Sequence, residues 1–146
     1  MPEVICMGEV LVDLIEEPRF GDDSTSFDVH FGSAPANVAI HLARLGTEVS
    51  LFASVGRDEF GEFLVAELEA SKVHVHGVQI VDERKTSLAF IRLGEGQEPK
   101  FDFYRAGGVD CVFVLGEGER RELEQTAILH VGSFSLSQEP FASVQA

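Results

Sequence analysis

Positive charge is what this sequence has least of. Lys and Arg number 11 against 25 Asp and Glu, a formal net charge of −14. Nucleic acid and anionic membranes are held by clustered Lys and Arg, so the balance argues against both as partners and otherwise describes a well-solvated surface. Cysteine is nearly as scarce. Cys6 and Cys111 each lack a second Cys or a His at metal-ligand spacing and read as small buried hydrophobes in a reducing compartment. Runs of about 18 apolar residues, the length that crosses a bilayer, are absent. The first residues carry no basic region or small-residue cleavage site, and Glu3, Glu9 and Asp13 interrupt their apolar character, unlike a secretory leader. A cytoplasmic location is expected by exclusion. His74 and His76 share a strand face with no third ligand nearby in sequence, so no metal site is expected. Internal repeats and low-complexity tracts are missing too.

Apolar residues are plentiful: 45% of 146 residues, enough for one domain with a real core. Val4-Ile5-Cys6-Met7 and Val49 to Val55 are short continuous apolar runs, the mark of strands buried on both faces of a parallel sheet. Residues 9–15 continue as extended chain. Pro18 to Ser26 reads as a surface turn, and Phe27, Val29 and Phe31 alternate with Asp28 and His30 at the period of a half-buried strand. Ser33 as N-cap, Pro35 in the first turn and Gly46 as stop frame a helix with Val38, Leu42 and Leu45 on one stripe. Asp58 caps a second helix with stripe Phe60, Phe63, Leu64 and Leu68.

Beyond Lys72, residues 73–80 are short and extended. Strands over 86–93 and 100–105 are joined by a hairpin connection, Glu117 to Gln125 forms a short helix, and Ala127 to Val131 reads as another buried strand ending at Gly132-Ser133. The tail after Ser137 is weakly patterned. Buried strands alternating with helices predict a parallel α/β sheet; the amphipathic strands predict a separate small sheet projecting from it. Ligands of such sheets bind beyond the carboxyl ends of the strands, which singles out Gly8 to Asp13, Gly32 to Asn37 and Gly132-Ser133.

Within Gly32-Ser33-Ala34-Pro35-Ala36-Asn37-Val38-Ala39, small residues lead into a helix whose free N–H groups, with the Asn37 amide, offer donors to hydroxyl or anionic oxygens. The same octapeptide also suits a plain capped helix with a tolerated Asn.

The wider context resembles the N-terminal signature of the PfkB-type, ribokinase-like carbohydrate kinases: the Gly-rich loop with Asn37, a helix ending Ala43-Arg44-Leu45-Gly46, a strand, then Val55-Gly56-Arg57-Asp58-Glu59-Phe60-Gly61. Met7-Gly8-Glu9-Val10-Leu11-Val12-Asp13 resembles the family's first strand and substrate-facing Asp. Phe101-Asp102-Phe103-Tyr104-Arg105 is similar to the lid strand of fructokinase-like members, and His130-Val131-Gly132-Ser133 to a strand end of that branch. Phe-Tyr-Arg and Gly8-Glu9 point to fructokinase or 2-keto-3-deoxygluconate kinase over ribokinase or adenosine kinase.

The resemblance implies an α/β fold, the N-terminal half of a ribokinase-like parallel sheet with flanking helices, plus a small β-sheet lid over approximately 9–31 and 86–105. It implies ATP-dependent phosphorylation of a primary hydroxyl of a sugar or sugar acid. Substrate-binding candidates are Asp13, Gly32, Ser33, Asn37, Phe90, Phe103 and Arg105; on residue type alone, Phe90 and Phe103 suit packing against the main sheet equally well.

The family's catalytic Asp lies in a Gly-Ala-Gly-Asp segment of the C-terminal half. That segment is absent from this sequence, and Gly116-Glu117-Gly118 has no Lys and is no P-loop. No catalytic residue is therefore expected in this chain. ATP and Mg²⁺ are implied for the complete enzyme and not expected to bind this chain well, and the isolated chain is expected to be inactive. The alternative is a truncated, non-catalytic sugar-binding or self-associating module. A homo-oligomer through the lid or an exposed sheet edge is expected. Many relatives have a second glycine where Ser33 stands, at the family's proposed lid hinge; serine is expected to resist a swing through positive φ there.

Overall fold

A computed structural model describes residues 2–17, 25–94, 96, 98–105 and 107–137. The expected turn over 18–26 lies largely outside these residues, and the tail from 138 onward lies outside them altogether.

The first sheet is parallel, in the order β5-β4-β1-β8. Its members are β1 (Val4–Met7), β4 (Val49–Gly56), β5 (Val78–Val81) and β8 (Ile128–Val131). Every residue of β1 and β4 is buried, as their unbroken apolar runs predict. One face of this sheet meets α1 (Ala34–Arg44) and α2 (Glu59–Ala70) through Leu51, Ala53, Val55, Ala39, Ile40, Leu64 and Leu68. The other face buries Ile5, Met7 and Phe52 under Phe113 and Leu115, with Leu123 of α3 (Glu117–Gln125) alongside.

The helix signals act as expected. Ser33 Oγ caps α1 at Ala36 N. At the other end Gly46 takes φ +92°, and the amides of Gly46 and Thr47 bond the carbonyls of Ala43 and Leu42, a Schellman ending.

The second sheet has the order β3-β2-β6-β7, from β2 (Leu11–Glu17), β3 (Ser26–Gly32), β6 (Leu88–Leu93) and β7 (Pro99–Tyr104). β2 runs antiparallel to β3 and parallel to β6, and β6 runs antiparallel to β7. This sheet is the predicted projecting one. Its chain links to the first sheet are short: Gly8-Glu9-Val10 joins β1 to β2, and Ser33 joins β3 to α1.

β8 departs from the sequence expectation of a buried strand. Ile128 is 56% and Leu129 47% exposed. Among the described residues β8 pairs only with β1, and an apolar run by itself carries no signal of how many neighbours its strand has.

Candidate functional site

The joint between the sheets brings the sequence candidates together. Strand register places Asp13 beside His30 of β3 on one side and Ala89 of β6 on the other, with Ala89 opposite Phe103. Paired residues share a face, so Asp13, His30, Gly32, Ala89, Phe101 and Phe103 lie on one face of the second sheet. Ala89 is small and buried, and Phe101 and Phe103 stack with centroids 6.0 Å apart. A Cβ on Gly32 would stand 2.5 Å from the Asp13 carboxyl atoms. The glycine therefore leaves Asp13 room on this face. Burial raises the Asp13 pKa above its ordinary 3.8, with His30 pulling in the opposite direction.

Phe90 is not brought to that face. It pairs with Leu14, one residue out of phase with Asp13, and packs edge-on against Phe27 at 5.2 Å and against Tyr104 at 5.0 Å. Its face belongs to the core that includes Val12, Leu14 and Phe31. Of the two aromatic candidates, only Phe103 overlooks Asp13's side.

Ser33 sits at φ +123°, ψ 148°, a region essentially reserved for glycine and costing about 1–3 kcal/mol for other residues. The expectation that serine would resist positive φ is corrected: Ser33 rests there. Its hydroxyl supplies the reason, donating to the Glu9 carbonyl at 2.6 Å as well as capping α1. The bond ties one inter-sheet link to the other. Asn37 is exposed on the first turn of α1, its backbone N–H bonded to Ser33 O at 3.1 Å, with its amide unpartnered among the described residues.

Glu9 and Gly132, from the segments singled out in the sequence, complete the floor together with Phe134 and Ser135, which sequence reasoning overlooked. The Glu9 side chain is buried and accepts from Ser135 Oγ at 2.6 Å. A Cβ on Gly132 would meet Glu9 Oε2 and Pro35 Cγ at 3.0 Å each, so the turn after β8 lies directly against the start of α1. Phe134 of that turn touches Phe103 at 5.4 Å and receives the Arg105 guanidinium over its ring at 3.9 Å.

Arg105 is no solvated cation: its side chain is 8% exposed. Its Nε donates to Asp110 Oδ2 at 2.7 Å, Nη2 donates to the same oxygen, and Ser87 Oγ donates to Asp110 Oδ1. Asp110 is completely buried. Its sequence signal was an acid set among Val109, Cys111, Val112 and Phe113.

Asp58, within the most recognisable sequence stretch, has a structural task. It caps α2 at Gly61 N and accepts from both the backbone N–H and the hydroxyl of Thr86, just ahead of β6. Burial pushes its pKa up, but the bonds from Thr86 and Gly61 prevail and hold it below the ordinary carboxylate value.

The N-terminus of α3 has no side-chain cap and carries Glu117 and Glu119 in its first turn, which repel phosphate. Among the described residues no group of three His, Cys, Asp or Glu could hold a metal ion, and no helix is long and apolar enough to cross a membrane.

A parallel α/β sheet with a second sheet joined at the carboxyl ends of its strands defines an α/β class whose ligands typically bind at that end. Comparison with known proteins fixes the family. The profile of the pfkB family carbohydrate kinases matches residues 1–143, and the chain belongs to that family. It is 34% identical over 146 residues to probable fructokinase-7 of Arabidopsis thaliana, covering 97% of this chain and 42% of that protein. The fructokinase of Xylella fastidiosa superposes with a TM-score of 0.90 at 31% identity, covering 99% of this chain and 45% of that one. An uncharacterized sugar kinase of Pyrococcus horikoshii, solved in complex with ATP, gives 0.84 at 32% identity, covering 97% and 47%. The chain thus spans less than half the length of these relatives.

Proposed function

We propose that residues 1–146 form the sugar-binding part of a carbohydrate kinase of the fructokinase or 2-keto-3-deoxygluconate kinase kind. The observation that carries this reading is the Asp13 carboxylate on the open face of the second sheet, with Gly32 directly against it. A carboxylate accepts two sugar hydroxyls as strong, charge-assisted hydrogen bonds. Phe103 offers an apolar wall to the carbon side of a sugar ring. The Asn37 amide and the first turn of α1 supply donors, and the second sheet acts as the lid. The domain reading is a partial one, with lid strands at approximately 9–31 and 86–105.

Phosphoryl transfer depends on positioning and on electrostatic stabilisation of the transferred group. In this reading the base, ATP and Mg²⁺ belong to the part of the relatives beyond the matched region. The chain alone should bind a sugar and transfer nothing. ADP release measured with fructose, ribose and 2-keto-3-deoxygluconate should stay at the no-sugar rate, while titration of the labelled chain with the same sugars should shift resonances around Asp13. Sugar-dependent turnover would overturn the division of labour, and absence of any shift would overturn the sugar site.

Self-association is the second reading. It is favoured by the exposed Ile128 and Leu129 on β8 and by Phe101 and Phe103 on β7, since exposed edges and apolar patches recruit other chains.

A further inference from the structure

The sugar reading leaves open whether the substrate is a neutral sugar or a sugar acid, and the charges around Arg105 bear on that choice. Among the described residues, Arg105 is the cation that the contacts tie to this site, through Phe134 and thence Phe103. We propose that Asp110 determines specificity: by holding Arg105 it makes this a site for an uncharged sugar and not for a sugar acid. This rests on the sugar-binding reading above.

The guanidinium has little left to offer a carboxylate. A free arginine grips a carboxylate with two parallel N–H bonds. Here Nε and Nη2 are both spent on Asp110 Oδ2, and one face of the guanidinium lies on the Phe134 ring. Asp110 cannot swing away to water, since it is completely buried and its other oxygen accepts from Ser87. The pair is neutral in sum. Nη2 also reaches Cys111 Sγ at 3.5 Å, which leaves Nη1 as the one nitrogen without a partner among the described residues; a lone amino nitrogen suits the lone pairs of neutral hydroxyls and cannot by itself make the parallel two-nitrogen grip.

The remaining charges point the same way. Asp13 and the buried Glu9 bring two carboxyl groups to the joint, and neither forms an ion pair among the described residues. A substrate carboxylate would enter beside them and, among the described residues, would meet only His30, which already faces Asp13 across the strand pair, and an Arg105 held by Asp110; like-charge repulsion and desolvation oppose its binding. A neutral sugar meets no such opposition, since its hydroxyls can donate to Asp13 without bringing a charge beside it.

The test compares D-fructose with 2-keto-3-deoxygluconate by resonance-shift titration of the 146-residue chain. Fructose should bind about tenfold more tightly or better. Asp110→Asn keeps the shape and removes the charge. It should move the ratio of the two affinities toward the acid by about tenfold, an effect that general loosening of the fold would not produce. A second measurement needs no variant. Raising salt from about 0.05 to about 0.5 M screens like charges, and the gap between the sugars should narrow. Preference of the unaltered chain for the acid overturns the proposal and leaves the sugar site standing. So does a gap indifferent to salt, or a ratio unmoved in a folded Asp110→Asn. If neither sugar binds, the sugar reading itself falls and takes the proposal with it.

Discussion

The first sheet buries its central strands on both sides, whereas the second sheet buries one side and presents the other. β1 and β4 are buried at every position, and β7 is exposed at every position. The same residue types therefore carry different duties. Phe52 in β4 is fully buried and stacks on Phe113 at 5.9 Å, while Phe103 in β7 is 46% exposed and stacks on Phe101 beside Asp13. The contrast shows where this chain keeps its stability and where it keeps its chemistry. A sheet closed on both faces holds the fold, and the proposed sugar site lies on the sheet left open.

The sharpest way to break that comparison is to remove each phenylalanine in turn. Phe52→Ala should cost about 3–5 kcal/mol, because it leaves a cavity between packed layers. Phe103→Ala should cost about 1 kcal/mol or less but weaken sugar binding several-fold. Thermal denaturation and sugar titration of both variants read the two effects separately. Comparable stability losses would mean that the second sheet shares the core's role.

Next in size is the tether between the sheets. Asp58→Ala removes an N-cap and both bonds to Thr86, and should cost about 2 kcal/mol. The Asp58 pKa lies below 3.8 in the folded chain, so its contribution is present at neutral pH and is lost as pH falls through the folded value. The stability difference between the parent chain and Asp58→Ala should therefore shrink in acid. A difference that stays constant with pH would assign the loss to packing alone. Amide exchange in β6 should also quicken in the variant, since Thr86 stands just ahead of that strand.

How much of this could be read from sequence follows the same division. β1 and β4 were legible because a continuous apolar run has one stable destination. α1 was legible because Ser33, Pro35 and Gly46 are each a local device acting within a few residues. The segment holding Asp13 was legible from the strand-end rule, and Asp13 itself as a substrate-facing candidate only through family resemblance. What sequence concealed depended on partners far along the chain. Phe90 and Phe103 read alike until register put them on opposite faces of one sheet. Arg105 read as a free ligand until Asp110, five residues on, folded back beneath it through a short 3-10 turn over Val109–Cys111. Ser33 read as an obstacle to positive φ because its bond to the Glu9 carbonyl, 24 residues away, has no local signature.

The smallest expected change in stability, and the most telling, is at Asp13. Burial raises its pKa above 3.8, only partly offset by His30, so the folded chain holds that proton more tightly than the unfolded chain does. Ionising Asp13 at neutral pH therefore weakens the fold, and the stability it withholds is recovered as pH falls through the raised folded value, fully so below 3.8. Asp13→Asn removes the charge at little change of shape. The variant should melt slightly higher than the parent chain at pH 7, and the advantage should vanish in strong acid, where the parent carboxyl is protonated as well. Sugar affinity should move the other way. Replacing a charged acceptor of hydroxyl donors costs about 1.5–3 kcal/mol, or roughly 10- to 100-fold in affinity. Melting curves at several pH values together with a fructose titration check both halves. A residue that only packs would lose stability on substitution and leave sugar binding untouched. A residue kept in a costly ionised state for its ligand shows the opposite pair of signs, as expected for a carboxylate on the open face of the second sheet.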